Sequence, residues 1–341
     1  MLLEPIKWEK NKIVFIDQTE LPARLKYVRC ADVDTLCEAV KKLRVRGAPL
    51  IGVSVALGYA LAAINSKAKT LAGLKKDLKS AYLKLKKTRP TAVNLFWALK
   101  RMENCFLNIS SSSNLHQIKK AILKEALSIM NEDKQMCRAI GKNGARLIKN
   151  RDIVLTHCNA GMLATAGYGT ALSPLYEAKK QGKRFKVYVD ETRPLMQGSR
   201  LTMWELMKNK IDAILICDDM AASTIKNKGV TKIIVGADRI ARNGDAANKI
   251  GTYGLAVLAK HHKIPFYVAA PSSTIDRNAA TGADIPIEER KPEELIYVGS
   301  KQTAPNKSKV FNPAFDVTPS ELITAIITES GVYANKRFGR I

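Results

Sequence analysis

One cysteine stands where an open α/β sheet presents its chemistry. The apolar run Ile153–Thr156 leads into His157-Cys158-Asn159-Ala160-Gly161, and a small-residue pattern continues to Leu172. Strand, glycine turn and helix in that order place Cys158 at the carboxyl end of a strand, where such sheets bind ligands. Helix N-terminal N–H groups beside a thiol favour the thiolate and any bound anion. The same residues also admit a small buried cysteine in a turn. Gly161, Gly167 and Gly169 lack the spacing of a dinucleotide fingerprint, and no acidic ribose partner is evident. His157 invites a Cys–His pairing, but adjacent residues at a strand end point opposite ways, which disfavours it.

The other strand ends carry polar residues that would converge on one crevice. They are Asp190-Glu191-Thr192-Arg193-Pro194 with Gln197-Gly198, then Asp218-Asp219, then Asp238-Arg239, then Asn248-Lys249-Ile250-Gly251-Thr252, then Pro271-Ser272-Ser273-Thr274. Asp238 follows Gly236-Ala237 directly after an apolar run, where a desolvated carboxyl can stay protonated and serve as a general acid. Asn248 and Lys249, with backbone N–H groups at a helix start, resemble a phosphate contact. Lys249 also fits a solvated surface position. Asp218 and Asp219 fit helix caps, and Asp190-Glu191 with Arg193 fits a structural ion pair. Nearer the N-terminus, Arg46-Gly47 before Pro49 and Arg89-Pro90-Thr91 put two arginines at helix starts, suited to holding an anion.

Composition narrows the class. The 341 residues suffice for more than one domain, and 46% hydrophobic content with mixed charge indicates a folded chain. A net charge of +25, from 56 basic and 31 acidic residues, would suit nucleic acid or an acidic surface. The lysines are scattered in ones and twos, with no basic arm, zinc-finger spacing or aromatic platform, so we read a solvated lysine surface without specific nucleic-acid binding. Six cysteines without CxxC pairs indicate neither a zinc site nor a disulfide framework, and point to a reducing compartment. The N-terminus lacks signal-peptide order, and the uncharged stretch from Gly47 to Ser66 reads as a buried helix rather than a membrane span.

The elements that position these residues follow from periodicity. Short strands are expected at Lys12–Asp17 and Ala23–Arg29, and helices at 32–43, 49–64, 69–87, 92–106 and 115–148, the last starting after Ser110–Ser113. Beyond Asn150, strands are expected at Ile153–Thr156, Phe185–Asp190, Ala213–Cys217, Lys232–Gly236 and Pro265–Ala270. Helices alternate with them at Leu163–Lys180, Ser199–Asn209, Met220–Lys226 and Thr252–His261. The fold class is therefore α/β. A mainly helical N-terminal domain with a small antiparallel sheet, residues 1–130, precedes a Rossmann-like domain with a mostly parallel sheet, residues 131–341.

Assembled, these residues resemble the methylthioribose-1-phosphate isomerase family of methionine salvage. The likeness runs through RGAPLIG, RPTAVNLFWAL, LTHCNAG, VDETRPLMQGSRLTMWEL, CDDMAAS, VGADRIARNGDAANKIGTYGLA, IPIEER and NPAFDVTPSELITAIITESGV. The wider superfamily includes ribose-1,5-bisphosphate isomerases and non-catalytic regulatory subunits of the initiation-factor nucleotide exchanger. The resemblance implies that Cys158 and Asp238 are the catalytic pair. It implies that Arg46, Arg89, Gln197, Asn248 and Lys249 bind the sugar phosphate, with Gly47 and Ala48 shaping the loop. It further implies an aldose–ketose isomerase that needs neither metal nor nicotinamide, working as a cytoplasmic homodimer. This chain departs from the family pattern at Ala304-Pro305-Asn306-Lys307 and in its high lysine content.

Overall fold

The computed structural model describes residues 3–89, 92–109 and 114–334, so Pro90-Thr91 and Ser110–Ser113, which precede two of the expected helices, lie outside the described residues. The chain divides into two compact units, residues 1–139 with 161–169 and residues 140–160 with 170–341.

The first unit opens on an antiparallel sheet of β1 (Ile6–Glu9), β2 (Lys12–Ile16) and β3 (Tyr27–Cys30) in that order. β2 is the apolar centre, with Ile13 and Phe15 fully buried. Its helices are α1 (Val33–Lys41), α2 (Ala48–Asn65), α3 (Leu71–Lys86), α4 (Val93–Asn108) and α5 (Leu115–Ala145), whose last residues fall in the second unit. Side-chain caps fix two starts: Asp32 accepts from Thr35 N at 2.7 Å, and Thr70 from Gly73 N at 3.1 Å. α2 carries Pro49 in its first turn and is apolar all round, hence buried at the centre of the unit. By length and hydropathy it would pass for a membrane span, yet 78% of it is buried inside the protein.

The second unit runs β4 (Ile153–Thr156), α6 (Ser173–Lys180), β5 (Lys186–Asp190), α7 (Met203–Lys208), β6 (Asp212–Ile216), α8 (Ala221–Lys228) and β7 (Lys232–Val235). There follow β8 (Arg239–Ala241), β9 (Ala246–Lys249), α9 (Thr252–His261), β10 (Phe266–Ala269), β11 (Ile275–Asp276), α10 (Glu293–Ile296), β12 (Tyr297–Val298), β13 (Lys301–Gln302), β14 (Phe315–Thr318), β15 (Ala325–Thr328) and β16 (Gly331–Ala334). The main sheet has seven strands in the order β16-β15-β10-β7-β4-β5-β6. All neighbours pair in parallel except the edge strand β16. Taken in chain order, the parallel strands follow the doubly wound arrangement, with its switch point between β4 and β7. Leu155, Ile233, Val235, Phe266, Val268 and Ile326 form its core. A four-stranded sheet, β11-β8-β9-β14, and the short pair β12-β13 complete the unit.

The α/β class and the five expected parallel strands stand, but local differences are instructive. The expected helix at Leu163–Lys180 forms only from Ser173. Before it, the buried Thr165 hydroxyl bonds the N–H groups of Gly167 and Gly169, both at 3.1 Å, and Gly169 adopts a φ of +78. Side-chain bonding of this kind competes with the helix. The carboxylate of Asp133, buried and pushed up to about 7 by desolvation, accepts the Ala166 N–H at 2.6 Å in the same stretch. The strand expected at Ala23–Arg29 shrinks to β3, and β1 is an addition. Asn243-Gly244-Asp245 is the hairpin turn between β8 and β9. Its Asp245 carboxylate accepts from Gly282 N and Ser320 N.

Replacing Ile326, fully buried in β15, with Ala should cost about 2–5 kcal/mol, read as a lower urea midpoint with an unchanged slope.

Candidate active site

At the switch point the chain leaves β4 toward β5 and β7 toward β10, on opposite sides. The carboxyl ends of β4 and β7 therefore face a crevice that no crossover covers. Cys158 lies just beyond β4, and Asp238 just beyond β7. Thr156 Oγ1 donates to Ile234 O at 2.8 Å across the pair. A Cβ on Gly236 would come within 2.6 Å of Ala160 Cβ, so the glycine is what lets the two loops approach.

Cys158 is half-buried with a φ of +61, in the left-handed region. Its N–H donates to Thr192 Oγ1 at 2.8 Å, and its carbonyl accepts from Thr202 Oγ1 at 2.5 Å. Thr202 ends a π-helical turn, Gly198–Thr202. Gly198 is required there, because a Cβ would sit 1.7 Å from Asp190 O. Asp238 is half-buried, and its N–H donates to Ala247 O at 2.9 Å, which ties it to β9. Neighbouring Asn159 donates to Glu205 Oε1 at 2.9 Å, and Tyr176 OH donates to the other oxygen of that fully buried carboxylate.

His157 is taken up by partners other than Cys158. Its Nδ1 faces Asp190 Oδ2 at 3.0 Å and its Nε2 faces Ile250 O at 2.9 Å, so no nitrogen remains for Cys158. Burial pulls the imidazole pKa down, but the bond and charge of Asp190 outweigh it, and the net shift is upward. Burial likewise raises Asp190. The ion-pair alternative for Asp190 thus resolves onto His157 rather than Arg193. Asp218 does not cap α8. Its two oxygens accept the N–H groups of Thr192 and Arg193, both at 2.7 Å. His157, Asp190 and Asp218 offer ligand atoms within 4.8 Å of one another, a group that in principle could hold a metal ion. Each of the three is already engaged in these bonds.

Asn248 and Lys249 end β9 and are both buried, which removes the solvated reading of Lys249. Lys249 Nζ donates to Ala314 O at 2.9 Å and lies 5.1 Å from the Phe315 ring centroid. Asn248 Nδ2 donates to Thr252 Oγ1 at 2.9 Å. The backbone part of the expected phosphate contact is corrected. The Gly251 and Tyr253 N–H groups at the start of α9 donate to Asp316, at 2.8 and 3.1 Å, so a protein carboxylate already occupies that helix end. Gln197 is buried just before the π-helical turn, with an Oε1 that accepts no hydrogen bond among the described residues.

The remaining predicted residues belong to the first unit. Arg46 and Arg89 are half-buried, before α2 and after α3 respectively. Gly47 has a φ of +98, and a Cβ there would lie 2.5 Å from Ala164 Cα. Ala48 is the first residue of α2. Sequence reasoning alone did not single out Thr202 or Asp316, or the His157–Asp190 pair. Their partners are 33 to 65 residues away in the chain, and no local spacing signals them.

Fold and site define a doubly wound α/β protein with a thiol and a carboxyl flanking its switch point. The chain belongs to the initiation factor 2 subunit family, whose model matches residues 44–335. It is 53% identical over 97% of its length to the 5-deoxyribose 1-phosphate isomerase of Moorella thermoacetica, covering 94% of that protein. It is 52% identical over 97% of its length to the methylthioribose-1-phosphate isomerase of Heliobacterium modesticaldum, covering 96% of it. Among solved structures, 5-methylthioribose 1-phosphate isomerase from Pyrococcus horikoshii OT3 matches at 44% identity and a TM-score of 0.91, covering 99% of this chain and 94% of that one. Translation initiation factor eIF-2B, subunit delta, from A. fulgidus matches at 47% identity and a TM-score of 0.88, covering 99% and 100%.

The His157–Asp190 pair sets a pH dependence. With the His157 pKa raised above its ordinary 6.5, its share of stability is complete below that value and is lost as pH rises through the higher folded one. Asp190 must stay ionised to exert that effect, so the imidazole carries the dependence. The melting temperature of the wild type should fall as the pH rises above about 6.5, and fall less steeply in His157→Gln.

Proposed function

We propose that this chain isomerises 5-methylthioribose 1-phosphate to 5-methylthioribulose 1-phosphate, an aldose-to-ketose conversion. The observation that carries the reading is the pairing of Cys158 and Asp238 at the two strand ends that border the switch point. The names carried by relatives of more than half identity support the substrate class. A second reading, 5-deoxyribose 1-phosphate, is favoured by the name of the Moorella relative and differs only at carbon 5. With no free anomeric hydroxyl, neither sugar opens spontaneously to an aldehyde, so the ring must be opened by an acid.

In this reading Asp238 gives its proton to the ring oxygen as the bond from carbon 1 to that oxygen breaks, leaving a phosphorylated oxocarbenium ion. The Cys158 thiolate takes the proton from carbon 2, and the bonding electrons form the double bond between carbons 1 and 2. Protonation of the resulting enol phosphate at carbon 1, with loss of the carbon 2 hydroxyl proton, gives the ketose. No step in this sequence calls on a metal or a nicotinamide. Arg46, Arg89, Gln197, Asn248 and Lys249 are assigned to substrate binding, and Gly47 and Ala48 to the loop that shapes it. The six free thiols suit a reducing compartment, consistent with the cytoplasm, and the family resemblance suggests a homodimer.

Incubation with each pure sugar phosphate, followed by proton NMR, tests the reading: turnover of neither would refute it. Cys158→Ser and Asp238→Asn should each lower kcat at least about 10²-fold, and the double variant should lose far less than the product of the two. Arg89→Ala should weaken substrate binding by about 1.5–3 kcal/mol, read from KM, without loss of folding. Product formed in deuterated water should carry label at carbon 1 if the abstracted proton exchanges with solvent.

A further inference from the structure

We infer that Thr192 and Thr202 are positioning residues for the Cys158 thiol, acting through its backbone; the inference rests on the catalytic role proposed for Cys158. A left-handed backbone suits glycine, or asparagine and aspartate, whose side chains bond locally. A thiol is a much weaker hydrogen-bonding group than those side chains, so the φ of +61 at Cys158 calls for bonds to its backbone. Two fully buried hydroxyls are in place to do so. Thr192 Oγ1 accepts the Cys158 N–H at 2.8 Å, and Thr202 Oγ1 donates to the Cys158 carbonyl at 2.5 Å. The two peptide groups that define the Cys158 dihedrals are thus each fixed by one threonine, and those dihedrals set the direction of its Cα–Cβ bond.

The roles of the two hydroxyls are fixed by what else they touch. Thr192 Oγ1 donates its own hydrogen to Asp190 O at 2.9 Å, which leaves a lone pair for the Cys158 N–H. Thr202 Oγ1 accepts from Asn159 Nδ2 at 3.2 Å, leaving its hydrogen for the Cys158 carbonyl. Thr192 is itself strained, a β-branched residue at a φ of +67. The Asp218 carboxylate holds it by the N–H groups of Thr192 and Arg193. Both threonines belong to the segment after β5, and the π-helical turn ending at Thr202 brings the second hydroxyl back to Cys158. Strain concentrated in this way, and held by several bonds, marks a place where direction matters.

The test uses the whole protein with 5-methylthioribose 1-phosphate and compares Thr192→Val, Thr202→Val, Thr192→Ser and Cys158→Ser. Each valine keeps the side-chain shape and removes the hydroxyl. In a folded valine variant, kcat should fall about 10- to 100-fold with KM within about threefold, since a misaligned reacting group loses rate rather than binding. Thr192→Ser should restore kcat to near the wild-type value, and adding Thr192→Val to Cys158→Ser should cost little more. Wild-type kcat in both folded valine variants overturns the inference. If Thr192→Val does not fold, Thr192→Ser decides: a loss of kcat there means the methyl group rather than the hydroxyl matters, and also overturns it. An inactive wild type, or a fully active Cys158→Ser, refutes instead the reading on which the inference rests.

Discussion

Two neighbouring parallel strands whose connections run to opposite sides are the constraint from which this site follows. A right-handed crossover covers one face of a sheet as it returns, so wherever the direction of winding reverses, two strand ends are left uncovered. Here those strands are β4 and β7. Whatever follows them must be polar enough to meet solvent or ligand and compact enough to pass its neighbour. Gly236 meets the second demand by leaving room for Ala160. Cys158 and Asp238, the acid–base pair proposed above, stand just beyond these two strand ends.

The loops around it are held by buried side chains rather than by regular structure. His157 joins the end of β4 to the end of β5 through Asp190, and to the end of β9 through the Ile250 carbonyl. Asp218 clamps the two peptides that follow β5, and Asp316 closes the start of α9. A bond to a charged group contributes about 1.5–3 kcal/mol, and stranding a buried partner costs more than the bond contributes. Each of these residues therefore acts as a fastener whose loss loosens a strand-end loop. Hydrogen bonds consequently connect the neighbours of Cys158, Gln197, Asp238, Asn248 and Lys249. That places the five predicted residues of this unit on one linked set of loops.

Legibility in the sequence followed the range of the interaction. Apolar runs alternating with helical periods reveal β4, β5, β6, β7 and β10, because each is followed or preceded by its own amphipathic helix. β15 escapes because no amphipathic crossover helix leads to it, only the four-residue α10 far upstream. The chain from β10 reaches it through short strands and a long excursion, so the βαβ rhythm is absent. Small residues between Gly161 and Leu172 look helical by spacing, yet the Thr165 hydroxyl and Asp133 hold that stretch in loops. Strand ends identify which residues face the crevice. They do not identify which polar groups are already spent, and so the start of α9 looks open in the sequence while Asp316 fills it.

The proposed reading also explains why relatives with different substrate names each share about half of their residues with this chain. Acid opening of the ring and proton transfer between carbons 2 and 1 involve only the ring oxygen, carbons 1 and 2 and the phosphate. A methylthio group at carbon 5 lies outside that chemistry and offers only apolar surface. One small apolar group in a pocket changes discrimination by about 10- to 200-fold, far less than the contribution of a buried polar contact that is made or lost. In that reading the acid–base pair and the phosphate contacts serve both substrates alike, and choice at carbon 5 falls to the side chains that meet it. Two isomerases of this kind are expected to share Cys158, Asp238 and their fasteners, and to differ in the side chains that meet carbon 5.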